Sequence, residues 1–148
     1  MGLLEILQDV ELFEGLEQGE IEQIALLCTE RRVAESEQLT IQGEPGDELY
    51  IITEGFLEVI IGGTSTSQRR VVVNLGAGQV VGEMALIDQG PRSATVRAID
   101  EPTTVQTIKR EAFEKLCMEN NRIGYIVMRN LAADLSFKLR HHNLSERD

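Results

Sequence analysis

The residues best suited to chemistry lie together in Gly82-Glu83-Met84-Ala85-Leu86-Ile87-Asp88-Gln89-Gly90-Pro91-Arg92-Ser93-Ala94-Thr95. The run Gln79-Val80-Val81 reads as a strand entering Gly82, a residue that permits a sharp turn or a close backbone approach. Glu83 through Leu86 can form one helical turn, whose first N–H groups lack internal partners and point outward as an anion site. Gly90-Pro91 then breaks the chain and delivers Arg92, a planar fork of donors suited to a phosphate, at the start of the next strand. Ser93 adds a hydroxyl beside it. A carboxylate at Glu83 cannot favour a bare anion, but it is the right acceptor for a sugar hydroxyl. One anion site next to one hydroxyl acceptor describes a phosphorylated ribose. The alternative is a Glu83–Arg92 ion pair across the loop, an ordinary surface arrangement that contributes little.

The elements that must position this segment follow from hydrophobic period. Residues 1–31 read as helical: Leu3, Ile6, Leu7 and Val10 share one stripe, and Ile21, Ile24, Ala25 and Cys28 share a second. Residues 32–109 read as β: Gln38–Gln42, Leu49–Thr53, Phe56–Ile61, Arg70–Leu75, Ala94–Ile99 and Thr103–Ile108, punctuated by Gly, Asp and Pro. That rhythm predicts an antiparallel sandwich or barrel. Gly62-Gly63-Thr64-Ser65-Thr66-Ser67 reads as a flexible hairpin loop. Residues 110–148 return to helix, with Asn120 or Asn121 available to cap a long segment reaching about His142. On that segment Met128, Leu131, Leu135, Leu139 and His142 fall within about 40° of one line, with Ile126, Ala133 and Phe137 near the opposite side. The predicted fold class is therefore α+β, one domain over 1–148: a β-barrel between N- and C-terminal helices.

Composition excludes several alternatives. With 14 Lys+Arg against 25 Asp+Glu, the formal net charge of −11 argues against nucleic acid and against an anionic membrane surface. No apolar run approaches the roughly 18 residues of a membrane span. The opening Met1-Gly2-Leu3-Leu4-Glu5 does not resemble a signal peptide, and Ile6 stands where a myristoylation signal wants Ser or Thr. Cys28 and Cys117 read as buried free thiols, consistent with a cytoplasmic protein. His141 and His142 are the only histidines, too few for a barrel metal site, and no Gly-x-Ser-x-Gly elbow occurs. No catalytic residue, metal ligand or cofactor is expected; the chain reads as a non-enzyme.

Gly-Glu-x-Ala-Leu followed by Pro-Arg-x-Ala-Thr resembles the phosphate-binding cassette of cyclic nucleotide-binding domains. Gln42-Gly43-Glu44-Pro45-Gly46-Asp47-Glu48-Leu49-Tyr50-Ile51-Ile52 with Glu54-Gly55, and Leu12-Phe13-Glu14-Gly15-Leu16, match as well, so the resemblance covers almost the whole chain. It implies an eight-stranded jelly roll flanked by helices. It further implies that Glu83 accepts from the ribose 2′-hydroxyl, that Arg92 pairs with the cyclic phosphate, and that Gly82 and the amides near Met84 and Ala85 complete the cradle. Ser93 stands where members use a hydroxyl on the phosphate or a Thr that helps read guanine. Val81 replaces the family's usual aromatic and keeps the pocket apolar. Gly43, Gly46, Asp47 and Gly55 match scaffold positions and read as turn-makers. By analogy with cyclic-AMP receptor proteins, His142 and Asn143 could cover the base.

These readings converge on a stand-alone sensor that binds cAMP or cGMP and repositions its C-terminal helix. The stripe of Met128, Leu131, Leu135 and Leu139 is expected to meet its twin in a homodimer, with Ile126 and Phe137 against the barrel and an unidentified downstream protein receiving the signal. A degenerate, ligand-free dimerisation scaffold and the sensor fragment of a larger transcription factor are the alternatives.

Overall fold

The computed structural model describes residues 2–62 and 69–147, with side chains for all of these but Val72 and 142–147. Most of the loop expected at Gly62–Ser67 thus lies outside the described residues. Helix α1 (Leu3–Gln8), a 3-10 turn (Glu11–Phe13) and α2 (Gln18–Ala25) open the chain. Eight strands follow: β1 (Thr29–Val33), β2 (Gln38–Thr40), β3 (Glu48–Glu54), β4 (Leu57–Ile61), β5 (Arg70–Leu75), β6 (Val80–Val81), β7 (Thr95–Ala98) and β8 (Thr103–Lys109). A 3-10 turn at Glu83–Leu86 separates β6 from β7, and α3 (Arg110–Glu119) and α4 (Asn121–Arg147) close the chain. This is the α+β jelly-roll arrangement the pattern predicts, with one difference: the strands form two antiparallel sheets, β1-β8-β3-β6 and β2-β7-β4-β5, and not a closed barrel.

Two cores share strand β3. Tyr50 and Ile52 point between the sheets, with Val33, Leu39, Leu57, Val81, Val96, Ala98 and Val105. Leu49 and Ile51 point the other way, into a core built with the helices from Leu7, Phe13, Ile24, Phe113, Ile123, Val127 and Leu131. A strand buried on both faces has no polar side to show, which is why Leu49-Tyr50-Ile51-Ile52 is a continuous apolar run.

Two sequence expectations need correction. Residues 29–31 are strand and not helix: β1 pairs with β8, Thr29 opposite Thr107 and Val33 opposite Thr103. Cys28 lies past the α2 C-cap at Leu26, so the helical stripe it completed ends at Ala25. A non-local ladder leaves no trace in a local 3.6-residue period.

The second correction concerns α4. Its buried line is Ile123, Val127 and Leu131, with Met128 and Leu135 partly covered by the same core, so most of the stripe expected at a dimer surface faces inward. Each step of four residues advances about 40° around a helix. From Ile123 to Leu139 the drift reaches about 160°, and Leu139 is 61 % exposed. Phe137, expected against the barrel, is 62 % exposed. Every described residue from Ser136 to His141 is exposed. The Asn120 side chain does accept from the Ile123 N–H at 3.4 Å, the expected cap.

Candidate functional site

Gly82 leaves β6 with φ +78°, the left-handed region that a side chain resists. A Cβ there would also lie 2.6 Å from Arg92 Nη1 and 2.9 Å from the Glu48 carbonyl oxygen. Glu83–Leu86 then makes a single 3-10 turn, closed by the Ala85 N–H donating to Gly82 O at 3.0 Å. Buried Ala85 and Leu86 anchor the turn, while Met84 is half exposed. The strand pairing sets its position: Val81 lies opposite Tyr50 on β3.

Arg92 is clamped to the loop before β3. Its N–H donates to Glu44 O at 2.7 Å and its carbonyl accepts from the Gly43 N–H at 2.9 Å. The guanidinium turns back across that loop. Nη2 donates to Glu48 O at 2.9 Å, Nη1 reaches Gly82 O at 3.5 Å, and Cζ lies 5.8 Å from the Tyr50 ring centroid. Burial pushes the Tyr50 phenol above its ordinary value, Glu48 adds to the rise, and Arg92 opposes it. Among the described residues no carboxylate lies within ion-pair distance of Arg92. The loop-spanning Glu83–Arg92 pair is therefore not what forms. Two backbone carbonyls orient the guanidinium, and the rest of its five donors stay available to an anion.

Around this guanidinium is a cavity of about 80 Å³, lined by Gly46, Gly82, Glu83, Met84, Arg92 and Ser93 among others. Gly46 belongs to its wall and is more than a turn-maker: a Cβ on it would stand 2.0 Å from Arg92 Nε. Asp88, also in the lining, accepts the Gly90 N–H at 2.9 Å and shapes the approach to Pro91. Glu83 additionally lines a groove of about 790 Å³ between β5, the turn before β6, and α4, within the range of small-molecule sites, about 300–1,000 Å³. Val73, Leu75, Val80 and Leu131 supply its apolar wall, with Asp134 and Lys138 on α4.

The structure thus brings Gly82, Glu83, Met84, Ala85, Arg92 and Ser93 to one cavity. Val81, expected beside them, is buried between the sheets, and its neighbour Val80 faces the groove instead. His142 and Asn143 lie on the helical backbone of α4, and their side chains are outside the described residues. Lys138, not anticipated, stands one turn before His142 with Nζ 3.8 Å from Glu83 Oε1 and 3.0 Å from Asp134 Oδ2. No sequence signal separates it from any solvated lysine on a helix. The thiols are half-buried and free, and burial pushes Cys28 up to about 11 and raises Cys117 as well, so neither is a ready nucleophile. No described helix is long and apolar enough to cross a membrane, and no group of three metal-ligating side chains occurs among the described residues.

A fold of two antiparallel four-stranded sheets with this turn-and-arginine arrangement defines a ligand-binding module. The model of the cyclic nucleotide-binding domain family matches residues 30–120, and the chain belongs to that family. It is 38 % identical over 114 residues to a cAMP-dependent protein kinase regulatory subunit of Mycosarcoma maydis, covering 74 % of this chain and 21 % of the relative. It is 34 % identical over 137 residues to a cyclic AMP receptor protein of Thermus thermophilus, covering 90 % of this chain and 59 % of the relative. The crystal structure of the Thermus thermophilus catabolite activator protein superposes with a TM-score of 0.81 at 30 % identity, covering 93 % of this chain and 62 % of that one. The chain spans about a fifth and about three fifths of the length of these two curated relatives. Both relatives are named for regulatory or receptor roles.

Proposed function

We propose that this chain is a cyclic nucleotide sensor whose ligand spans the two cavities. The cyclic phosphate takes the free donors of Arg92, with Ser93 and the backbone near Met84 beside it. The ribose hydroxyl donates to Glu83, which belongs to both cavities. The base enters the groove between β5 and α4. The observation that carries this reading is Arg92: a half-buried cation, oriented by two carbonyls and without a carboxylate partner among the described residues, facing a cavity that Glu83 also lines. The names of the relatives favour cAMP as the first ligand to try, with cGMP beside it.

Helix α4 is the element positioned to respond. It walls the groove through Leu131, Asp134 and Lys138, and His142 and Asn143 continue one turn further, where they could close over the base. The exposed Phe137 and Leu139 support a homodimer through this distal half, with the receiving partner a separate protein or a further part of a longer chain. Thermal melting with cAMP, cGMP and 5′-AMP tests the reading. A ligand at 100 times its Kd adds about 2.7 kcal/mol to stability, so either cyclic nucleotide should raise Tm by several degrees. Equal Tm with and without both would refute it.

A further inference from the structure

Four strands end the two sheets, and three of them are guarded. An edge strand turns the N–H and C=O of every second residue away from its sheet, and those groups invite another strand. β2 and β6 offer only 3 and 2 residues, and β1 carries the charges of Glu30, Arg31 and Arg32. β5 is the exception. Its 6 residues, Arg70–Leu75, pair with β4 alone, with no other backbone partner among the described residues. Its one guard is the register shift between Val59 and Ile60 on β4. Apolar side chains on it stay in water, Val71 at 52 % and Val73 at 43 % exposed.

Charge decides what can approach this edge. From Val59 to Gly82 there is no Asp or Glu, although the chain carries 25 and a net charge of −11. Arg69 and Arg70, both exposed and neither ion-paired among the described residues, stand at the head of β5. At its tail the Phe56 ring, 56 % exposed, lies against Gly76, where a Cβ would stand 3.0 Å from it. A cationic head and an aromatic tail are complementary. When two copies pair antiparallel, each head meets the other copy's tail. The two arginine ends then lie about five residues apart, roughly 17 Å. That exceeds the screening length of about 8 Å at physiological salt.

We propose that the free edge of β5 is a self-association surface, on which two copies of this chain pair β5 to β5 antiparallel about a two-fold axis. The β2-β7-β4-β5 sheet then continues into its twin, and no carboxylate of β5 or its flanks opposes the contact. An isologous contact needs a self-complementary surface, and a strand with a cationic head and an aromatic tail is satisfied in full by the same strand reversed. Pairing uses edge backbone groups and leaves Val73 and Leu75 in the lining of the groove, so the inference does not rest on the nucleotide reading. It is also separate from the exposed Phe137 and Leu139 on the distal half of α4.

Sedimentation velocity and amide hydrogen exchange of the ligand-free full chain, across a concentration series, test this with the parent, Val71→Lys and Leu139→Glu. The parent and Leu139→Glu should both dimerise, and their β5 amides should exchange more slowly as concentration rises. Val71→Lys enters each dimer twice and should weaken dimerisation about tenfold, with Tm at low concentration unchanged. Exchange in the parent needs no substitution, so a Val71→Lys chain that fails to fold leaves the test intact. A parent that stays monomeric throughout would overturn the proposal. So would a dimer whose β5 amides exchange as fast as the monomer's, or a folded Val71→Lys that dimerises as tightly as the parent. Association lost in Leu139→Glu and kept in Val71→Lys would assign the contact to α4 and overturn it as well. None of these outcomes bears on whether the chain binds a cyclic nucleotide.

Discussion

The phosphate-cassette segment and helix α4 form facing parts of one candidate site, and the chain positions them in opposite ways. Gly82 to Ser93 is short, and the loop before β3 fixes it: the Arg92 backbone bonds to Gly43 and Glu44, and its guanidinium donates to the carbonyls of Glu48 and Gly82. Helix α4 is placed by partners more than a hundred residues away. Asn130 Nδ2 donates to Leu12 O at 2.9 Å and Glu14 O at 2.8 Å, and Arg122 pairs with Glu20. All of those ties lie in its first half. Beyond Leu135 the described residues are exposed, and Lys138 is the ion-pair link to the cassette. The cassette half of the candidate site is held by short hydrogen bonds to the loop before β3. Helix α4 is anchored in its first half, while beyond Leu135 its described side chains are exposed and Lys138 pairs with Glu83.

The largest effect that would break this contrast is on stability. Leu131 is buried in the helix-side core, and Leu131→Ala should cost about 2–5 kcal/mol in urea unfolding, the range for truncating a core leucine. Leu139→Ala, at an exposed position, should stay within about 0.5 kcal/mol. Equal costs would mean that both halves of α4 are held alike. Within the cassette, Glu83→Gln keeps the shape but weakens the acceptor, so about 1–3 kcal/mol of ligand affinity should go. A 2′-deoxy cyclic nucleotide should bind the parent poorly and be nearly indifferent to that substitution. Additive losses would show that the carboxylate touches something other than the sugar.

Gly46→Ala should weaken binding about tenfold (about 1.4 kcal/mol), since its Cβ would displace the Arg92 guanidinium while the core stays untouched. Affinity equal to the parent's would show that the guanidinium tolerates the shift. The smallest effect concerns acid. The Glu17 N–H, and then Arg122, hold the Glu20 carboxyl below its usual range, against the opposing influence of burial. A carboxyl lowered in the folded state contributes stability above its unfolded value and loses it as pH falls through the folded one. Arg122→Met should flatten part of the acid-side fall in Tm. A profile parallel to the parent's would show that the pair does not hold the root of α4.

The same contrast decides what could be read from the residues alone. Gly82, Glu83, Arg92 and Ser93 were legible because their chemistry, their spacing and the turn residues between them fall inside one short segment. The two-sided burial of β3 was likewise written as an unbroken apolar run. Three features were not legible, each for a reason of distance. Strand β1 owes its conformation to β8. The space at Gly46 matters only because Arg92, far along the chain, crosses over it. The orientation of α4 is set by Ile123 and Val127 entering the helix-side core, so a stripe begun at Met128 points inward first and outward only after the helix has drifted. Lys138 combines all three difficulties: its partner Glu83 lies on another element, and nothing in its own neighbourhood distinguishes it.

The central claim is that Arg92 receives an anionic ring phosphate. Calorimetric titration of the parent and of Arg92→Ala with cAMP and cGMP, under one buffer and salt condition, tests it most directly. The parent should bind at least one of the two, and the variant should lose about 2–5 kcal/mol, the cost of removing a charge-assisted, bidentate-capable contact. An Arg92→Ala protein that binds within threefold of the parent would contradict the assignment of the site.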